Sequence, residues 1–590
     1  MLNGKTLNVQ GLAAFSRRNV KYFIAAAAAI ILCIIGWEIF RFLTDDAYIA
    51  FRYISNRQMG FGYTWNFPPF RAVEGYTCFS WIVLLDIVWS VTGITPPQAA
   101  NFLSLVFSIL SILITIVIIS KLYKRYNEKK GVLLLGFALL WIVTNRTFLM
   151  WTSSGLETAL FNFLIHAWIL AGMLFKENPA KYTGRLALTA ALLYLTRPGG
   201  LLFAFFTVLM VIAVYYRPGL ARAENSGSKK SAGWLLRLLP LLIIPVHFIW
   251  RRLTYGEWLP NSYYAKYSSP WPQSGVRYLL SFMLEYFLWV WLIVILVVFL
   301  KKWMTSAAHE GRLSKQKSVS LNRSFGSPEP FFKRVLAAGG RYVLFFQVAA
   351  ICLHLGYYTF IIGGDHFEYR IYSYLIPLIA ISFVWAVLEL KIPSKRSFIL
   401  LLVFFLLSVQ IPWIHWGVSQ EKKTRAETYK MTIPVAEHVS VVLRPYVRIF
   451  DNLQTWLIDH YVCMRHREHK MLMEHLKSFL PPREVGRDFL PGEENPVVYS
   501  HCAGLSSWVF PRLNIIDYFG LNDYVIARTP LERGKKREMA HDRKPPPGYI
   551  KALQPNLIIR MEGKIELYKR KAPLSDEEVR SIEKRFIQIP

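Results

Sequence analysis

The sequence predicts an α-helical polytopic membrane protein of about eleven transmembrane helices, with a mixed α/β domain at its C-terminal end. Three observations predict it. The 590 residues are 54% hydrophobic, and the apolar residues gather into repeated runs of roughly 17 to 25, the length that spans a hydrocarbon core as helix. The excess of basic residues, a net charge of +31, is concentrated in alternate connecting segments. Beyond about residue 415 the apolar runs cease and charged residues of both signs appear.

The spans are expected at 22–43, 98–120, 132–150, 158–174, 186–197, 200–216, 235–253, 277–300, 342–362, 371–389 and 397–414. Basic clusters lie at the N-terminus (Lys5, Arg17, Arg18, Lys21), at 121–130, at Lys176, Lys181 and Arg185, at 217–237, at 301–341, and at Lys391, Lys395 and Arg396. The positive-inside rule puts these on the cytoplasmic face. The N-terminus is then inside, and an odd number of spans leaves the C-terminal segment outside. The first run, "IAAAAAIILCIIGWEIF", is too long for the apolar core of a signal peptide, and no small-residue cleavage pattern follows it, so an uncleaved helix is expected. The run "CFSWIVLLDIVWSVTG" carries Asp86 and leads into Pro96–Pro97. As a span it would turn the basic 121–130 segment outward, so it is expected to lie at the interface. "TRPGG" marks a tight outer hairpin. In the last part of the chain, "NPVVYSHCAG", "RLNIIDYFG" and "QPNLIIRM" read as short strands bounded by Gly, Pro and Asn, and 421–480 reads as helical. The organisation is a membrane module over 1–414, with an outer loop at 44–97, and an extracytoplasmic α/β domain over 415–590.

Alternating basic loops argue against nucleic acid as the partner of this charge; they orient the chain and attract anionic lipid, so the lipid bilayer is the expected environment. Five cysteines show no spacing motif. Cys463 and Cys502, both in the outer domain, are the two that an oxidising compartment would join.

With the sides assigned, the outer face collects unusual polar residues. The first loop, "TDDAYIAFRY", carries Asp45, Asp46, Tyr48 and Arg52, and Glu74 follows in the same loop. "SSGLETALF" carries Glu157, and the "TRPGG" hairpin carries Arg197. "LPNSYYAKY" carries Asn261, Tyr263, Tyr264 and Lys266, and "GGDHFEYR" carries Asp365, His366, Glu368 and Arg370. Charge at a membrane rim costs free energy unless paired or hydrated, which makes each residue a functional candidate. Each also has a plain reading: a solvated carboxylate, a helix N-terminal carboxylate for Glu157, interfacial anchors for Lys266 and Arg370, an aromatic belt for the tyrosines. Asp365, His366 and Glu368 together have the composition of a metal site. The set suits transfer from a membrane-bound anionic donor: a carboxylate deprotonates an acceptor hydroxyl, and cations hold a phosphate leaving group.

The stretches "DDAYIAFRY…GFGYTWN…AVEGYTCFSW", "SSGLETALF", "LTRPGG", "LPNSYYAKY", "GGDHFEYR" and "IIDYFGLND" occur in order along nearly the whole chain. Together they resemble the GT-C superfamily of polyprenyl-phosphate-dependent glycosyltransferases. The likeness is closest to the bacterial branch of terminal arabinofuranosyltransferases, whose relatives are labelled flagellar motor control proteins. The resemblance implies a GT-C-like fold in a bacterial inner membrane, catalysis by the first outer loop, a polyprenyl-phosphate sugar donor, often a pentofuranose, and an envelope glycan or lipid-linked acceptor. It implies no nucleotide cofactor. On it, Asp45 is the first candidate for the base, with Asp46 orienting it or binding a divalent cation such as Mg or Mn, and Glu157 is a second acid. Arg52, Lys266 and Arg370 are candidates for the donor phosphate; Tyr48, Glu74, Arg197, Asn261, Tyr264, Asp365 and His366 are further substrate-binding candidates. At 502–504 "CAG" stands where relatives often carry an acidic residue. The alternatives are a transporter or flippase of a lipid-linked saccharide, and a non-enzymatic membrane protein affecting envelope or flagellar function. Charges at one rim and no internal repeat favour the enzyme.

Overall fold

The computed structural model describes residues 9–126, 131–215, 233–266, 269–317, 341–488, 496–532, 534–559, 565–568 and 574–587. Eight helices among these residues are long and apolar enough to cross a membrane: Tyr22–Phe40, Pro96–Lys124, Thr158–Glu177, Pro198–Tyr215, Leu288–Thr305, Tyr342–Ile362, Arg370–Leu390 and Ser394–Ser419. Their α-helical bodies are α1 (Val9–Phe40), α4 (Pro96–Tyr126), α6 (Thr158–Glu177), α8 (Leu201–Tyr215), α11 (Leu288–Lys317), α12 (Arg341–Gly356), α13 (Leu375–Leu390) and α14 (Ser394–Ser419); short 3-10 or π turns extend the spans at Pro198–Gly200, Tyr357–Ile362 and Arg370–Tyr372. Three helices at the remaining expected spans are shorter or more polar: α5 (Gly131–Val143), α7 (Pro179–Thr196) and α9 (Ile243–Tyr255). The basic 217–232 and 318–340 segments lie outside the described residues.

Two expectations are refined by local backbone. The residues after α1 form not a loop but a helix, α2 (Asp45–Gln58), started by the Thr44 side chain, which accepts from the Ala47 amide at 3.2 Å. The span expected at 277–300 is two helices. An amphipathic α10 (Pro272–Glu285) ends at Tyr286, and α11 starts at Leu288. Between them Phe287 takes a left-handed φ of 50°, unusual for a bulky side chain. Its ring is held by stacking on Tyr446 at 4.4 Å. The apolar run at Cys78 forms α3 (Phe79–Thr92), 14 residues; at 1.5 Å per residue that is about 21 Å, short of a hydrocarbon core of about 30 Å.

After α14 come α15 (Arg444–Asp459), α16 (His466–Phe479), strand β1 (Val497–Ser500), the seven-residue α17 (Ala503–Val509) and β2 (Asn514–Asp517). A second pair, β3 (Leu557–Ile559) and β4 (Ile565–Leu567), and helix α18 (Asp576–Phe586) complete the chain. β1 and β2 are parallel, with Val497 opposite Asn514; β3 and β4 are antiparallel. The mixed domain is thus mostly helix around two small sheets, and its core is continuous with that of the membrane helices. Cys463 and Cys502 are both free thiols, so the disulfide is not formed. Cys463 instead lies in the buried seam beneath the rim, 3.8 Å from Gln454 Nε2.

Three connections fix the domain on the rim. The 365–368 segment runs beside 463–464 as a short parallel ladder: the Cys463 amide donates to the Asp365 carbonyl at 2.9 Å, Met464 to His366 at 2.7 Å, and Glu368 to Met464 at 3.1 Å. Beneath it, Arg146, Glu285, Glu368 and Arg465 meet fully buried, two cations against two carboxylates. Arg465 grips Glu285 at 3.0 and 3.3 Å and reaches Glu368 at 3.2 Å, while Arg146 pairs with Glu368. Finally, Arg52 of α2 donates to the carbonyls of Trp65 at 3.2 Å, Ser507 at 3.3 Å and Leu513 at 2.5 Å, and to that of Pro511.

Candidate functional site

Where α2 meets α17, Asp45 accepts from the amides of Gly504 at 3.0 Å and Leu505 at 2.8 Å, one on each carboxylate oxygen. A β-carbon at residue 504 would overlap the Asp45 carbonyl, so this approach requires glycine. Burial pushes the Asp45 carboxyl up to about 6, against the two amides that favour its charged form. Asp46 is the next residue on the helix. Like Asp45, it lines a cavity of about 380 Å³ between the membrane helices and the C-terminal domain, but no side-chain or amide bond to it occurs among the described residues.

The membrane side of the cavity supplies Glu157, Arg197, Lys266, Asp365, His366 and Arg370. Arg197 Nε donates to Glu157 at 2.6 Å, and Arg197 Nη2 is buried without a hydrogen-bond partner among the described residues. Arg370 takes Asp365 in a two-point grip at 2.7 and 3.0 Å, over the Phe367 ring at 4.4 Å. Its neighbour Arg197 and the more distant Arg370 hold the Glu157 carboxyl below its ordinary value despite burial. Lys266 is exposed at the mouth, in no ion pair among the described residues. Burial, with His541 beside it, holds His366 down at about 4. His366 is therefore neutral near pH 7 and serves as a polar ring rather than a cation. A wider π-helical turn, Tyr357–Ile362, brings Tyr357, Tyr358 and Ile362 to the wall. With Trp81, Leu156 and Leu259 they make the bilayer-side flank apolar.

Five sequence candidates do not line the cavity. Arg52 is committed to main-chain carbonyls, so it is corrected from phosphate ligand to a tie between α2 and the domain. Tyr48 packs against Phe51 and Trp508. Glu74 is buried against Arg251. Asn261 donates to the carbonyls of Gly520, Leu521 and Asp523 and accepts from Arg528, which docks the domain. Tyr264 lies under the Arg528 guanidinium at 4.1 Å. The metal-like set also separates: Asp365 goes to Arg370, His366 Nδ1 donates to the Tyr461 carbonyl, and Glu368 turns into the buried quartet. No group of three or more His, Cys, Asp or Glu among the described residues is placed to hold a metal ion.

The domain contributes residues that the sequence reading did not single out. Asp517, at the end of β2, lines the cavity and accepts from the Phe519 and Asn522 amides at 3.2 and 2.9 Å. His501, Phe519, Arg537, His541 and Asp542 line the same wall. "IIDYFGLND" was the available signal for Asp517: a carboxylate ending a short strand before a tight turn.

The fold and this cavity together describe a multi-pass helical membrane protein whose polar site sits at one rim, under a domain that forms its second wall. No family model matches the chain, and no curated protein does. Among solved structures it is similar to ArnT from Cupriavidus metallidurans bound to undecaprenyl phosphate, at 10% identity and a TM-score of 0.46, covering 84% of this chain and 86% of that one.

Proposed function

We propose that the protein is a GT-C-type glycosyltransferase that moves a sugar, such as a pentofuranose, from a polyprenyl-phosphate donor to an envelope glycan or lipid-linked acceptor on the outer face of a bacterial inner membrane. The observation that carries the reading is the composition of the cavity. Asp45 and Asp46 both line it, and of the two Asp46 has no hydrogen bond among the described residues; Lys266 is exposed at its mouth; Arg197 Nη2 is buried beside it without a hydrogen-bond partner among the described residues; and Trp81, Leu156 and Leu259 give part of the lining an apolar character. A lipid-linked phosphate suits this lining: its chain lies on the apolar part, its phosphate meets the two cations, and its sugar carbon faces the Asp46 carboxylate.

In this reading Asp46 takes the proton from the acceptor hydroxyl as that oxygen attacks the anomeric carbon, and the bond to the phosphate oxygen breaks. Lys266 and Arg197 stabilise the charge left on the departing phosphate. Asp45 has both oxygens on α17 amides and acts by fixing the start of α2, which inverts the roles expected from the sequence. Glu157 and Asp365 keep Arg197 and Arg370 charged and aimed. Asp517, His541 and Phe519 supply the wall for the acceptor, with carboxylate, imidazole and ring faces suited to hydroxyls and sugar planes.

The test is transfer in proteoliposomes carrying a synthetic polyprenyl-phosphate pentofuranose and a glycan acceptor, with the released polyprenyl phosphate measured directly. Release coupled to a glycosylated acceptor is expected. Movement of the intact donor across the bilayer without release would replace this reading by that of a flippase. A periplasm-dependent reporter fused at residue 590 should be active and one inserted within 318–340 inactive; the opposite pattern would put the cavity on the wrong face for an outer-leaflet donor.

A further inference from the structure

The segment 431–450 packs into the membrane module rather than standing above it. Met431, Ile433, Val435, Val439, Val447 and Phe450 form one cluster with Phe287 at the α10–α11 break and Ile411 of α14, and Leu407, Ile414 and Val418 pack against it. Leu407 precedes the last residue of α14 by twelve positions, about 18 Å along the helix. The segment therefore follows the final turns of a span down its side.

The outward side of this segment is also apolar. Val441 and Val442 are 71% and 88% exposed and Ile449 is 56% exposed. Val441 and Val442 lie in the turn that leads into α15, and Pro445 and Ile449, four residues apart, lie on the exposed face of its first turns. The opposite stripe, Val447, Phe450 and Leu457, is buried. Exposed apolar residues grouped in one patch, rather than scattered singly, mark a surface that meets something other than water. Arg444 and Arg448, both exposed, run beside the outer stripe. Next to them is Trp289, 40% exposed on the first turn of α11, whose indole N–H donates to the Tyr446 hydroxyl at 3.2 Å. Below Trp289 the exposed surface of α11 is Leu292, Ile293 and Leu296, the lipid face of a candidate span. The apolar stripe is thus continuous with that face, at an aromatic and arginine level typical of the water–lipid boundary.

We infer that the 441–449 edge of the C-terminal domain inserts into the interfacial layer of the bilayer, with Val441, Val442 and Ile449 among the upper acyl segments and Arg444 and Arg448 at lipid phosphates. The domain is then anchored to the membrane on its own account, beside the seam that joins it to the helices. This holds whether or not the cavity transfers sugar.

The experiment uses the full chain with Cys352 and Cys502 replaced by Ser, reconstituted in nanodiscs of phosphatidylcholine and phosphatidylglycerol. A bimane label is placed by Val442→Cys or, as control, by Glu577→Cys on the exposed face of α18. Doxyl-labelled lipid should quench the Val442→Cys label severalfold more than the control, and aqueous iodide should do the reverse. Val442 is so exposed that the substitution leaves packing intact. Equal quenching by lipid at both sites, or iodide reaching Val442→Cys as freely as the control, overturns the inference and leaves the stripe to a protein partner.

Discussion

Replacing Asp46 and Asp45 one at a time separates a chemical role from a mechanical one. Asn has the size of Asp but is no base. Asp46 has no bond to lose among the described residues, so Asp46→Asn removes only what the carboxylate does in the cavity. General-base catalysis contributes about 10² to 10⁴ in rate, so turnover should fall by that factor while the melting temperature holds. Asp45 accepts two amides of α17. Asn can accept one and presents an N–H₂ to the other, losing one hydrogen bond to a charged group, about 1.5–3 kcal/mol. That loss should fall on docking: faster hydrogen exchange across 503–509, a lower melting temperature, and a smaller loss of turnover than in Asp46→Asn. The assay is single-turnover transfer from a synthetic polyprenyl-phosphate sugar by monodisperse protein, with exchange measured on the same samples. Near-normal turnover by folded Asp46→Asn refutes the assignment. So does Asp45→Asn that abolishes turnover with exchange unchanged, because Asp45 would then be the base despite its amides.

The cavity mouth and the seam give three further expectations. Lys266→Ala should weaken apparent donor affinity roughly tenfold to a hundredfold, the worth of one charge-assisted contact, with kcat little changed; an unaltered donor titration reduces Lys266 to an interfacial anchor. Glu285→Gln leaves Arg146 and Arg465 sharing one carboxylate, and breaking a buried pair costs about 3–5 kcal/mol, so the melting temperature in detergent should drop sharply, and a drop within error removes the quartet as a clamp. Burial lifts the Asp523 carboxyl to about 7; the fold retains that proton when the unfolded chain has lost it, so this contribution is full below the ordinary aspartate range and is lost as pH rises through about 7. Thermal stability should therefore be lower at pH 8 than at pH 6, Asp523→Asn should shrink the difference, and an undiminished difference assigns it to other groups.

The spans were legible because eight runs among the described residues are long and apolar, and the last of them ends near the composition change at 415. The charge-bearing segments that the sequence grouped on one face do converge: Asp45, Asp46, Glu157, Arg197, Lys266, Asp365, His366 and Arg370 line one cavity. Direction was not legible. Read as a loop, 44–97 offers every polar residue to the site. As helix α2, Asp45, Asp46, Ile49 and Ala50 line the cavity, while Tyr48 and Arg52 turn to the domain. Glu285 stayed hidden because the apolar run around it reads as one span, and only the break at Phe287 puts it beside Arg465. The wall from Asp517 to Asp542 depends on contacts hundreds of residues away, which no local pattern encodes.

Arg52 also sets a timetable. Its carbonyl acceptors in the domain lie 455 to 461 residues further along the chain, and at about 5–20 residues per second they leave the ribosome roughly 20 to 90 s after it. Through that interval the Arg52 guanidinium, in the helix that follows the first span, lacks the domain carbonyls that receive its N–H groups. Helix α2, which bears it, has to wait for its partner while the remaining spans are made. Membrane insertion and completion of the site are thus separate events in the life of the chain. A nascent protein halted before residue 507 would be threaded through the membrane and still have no site.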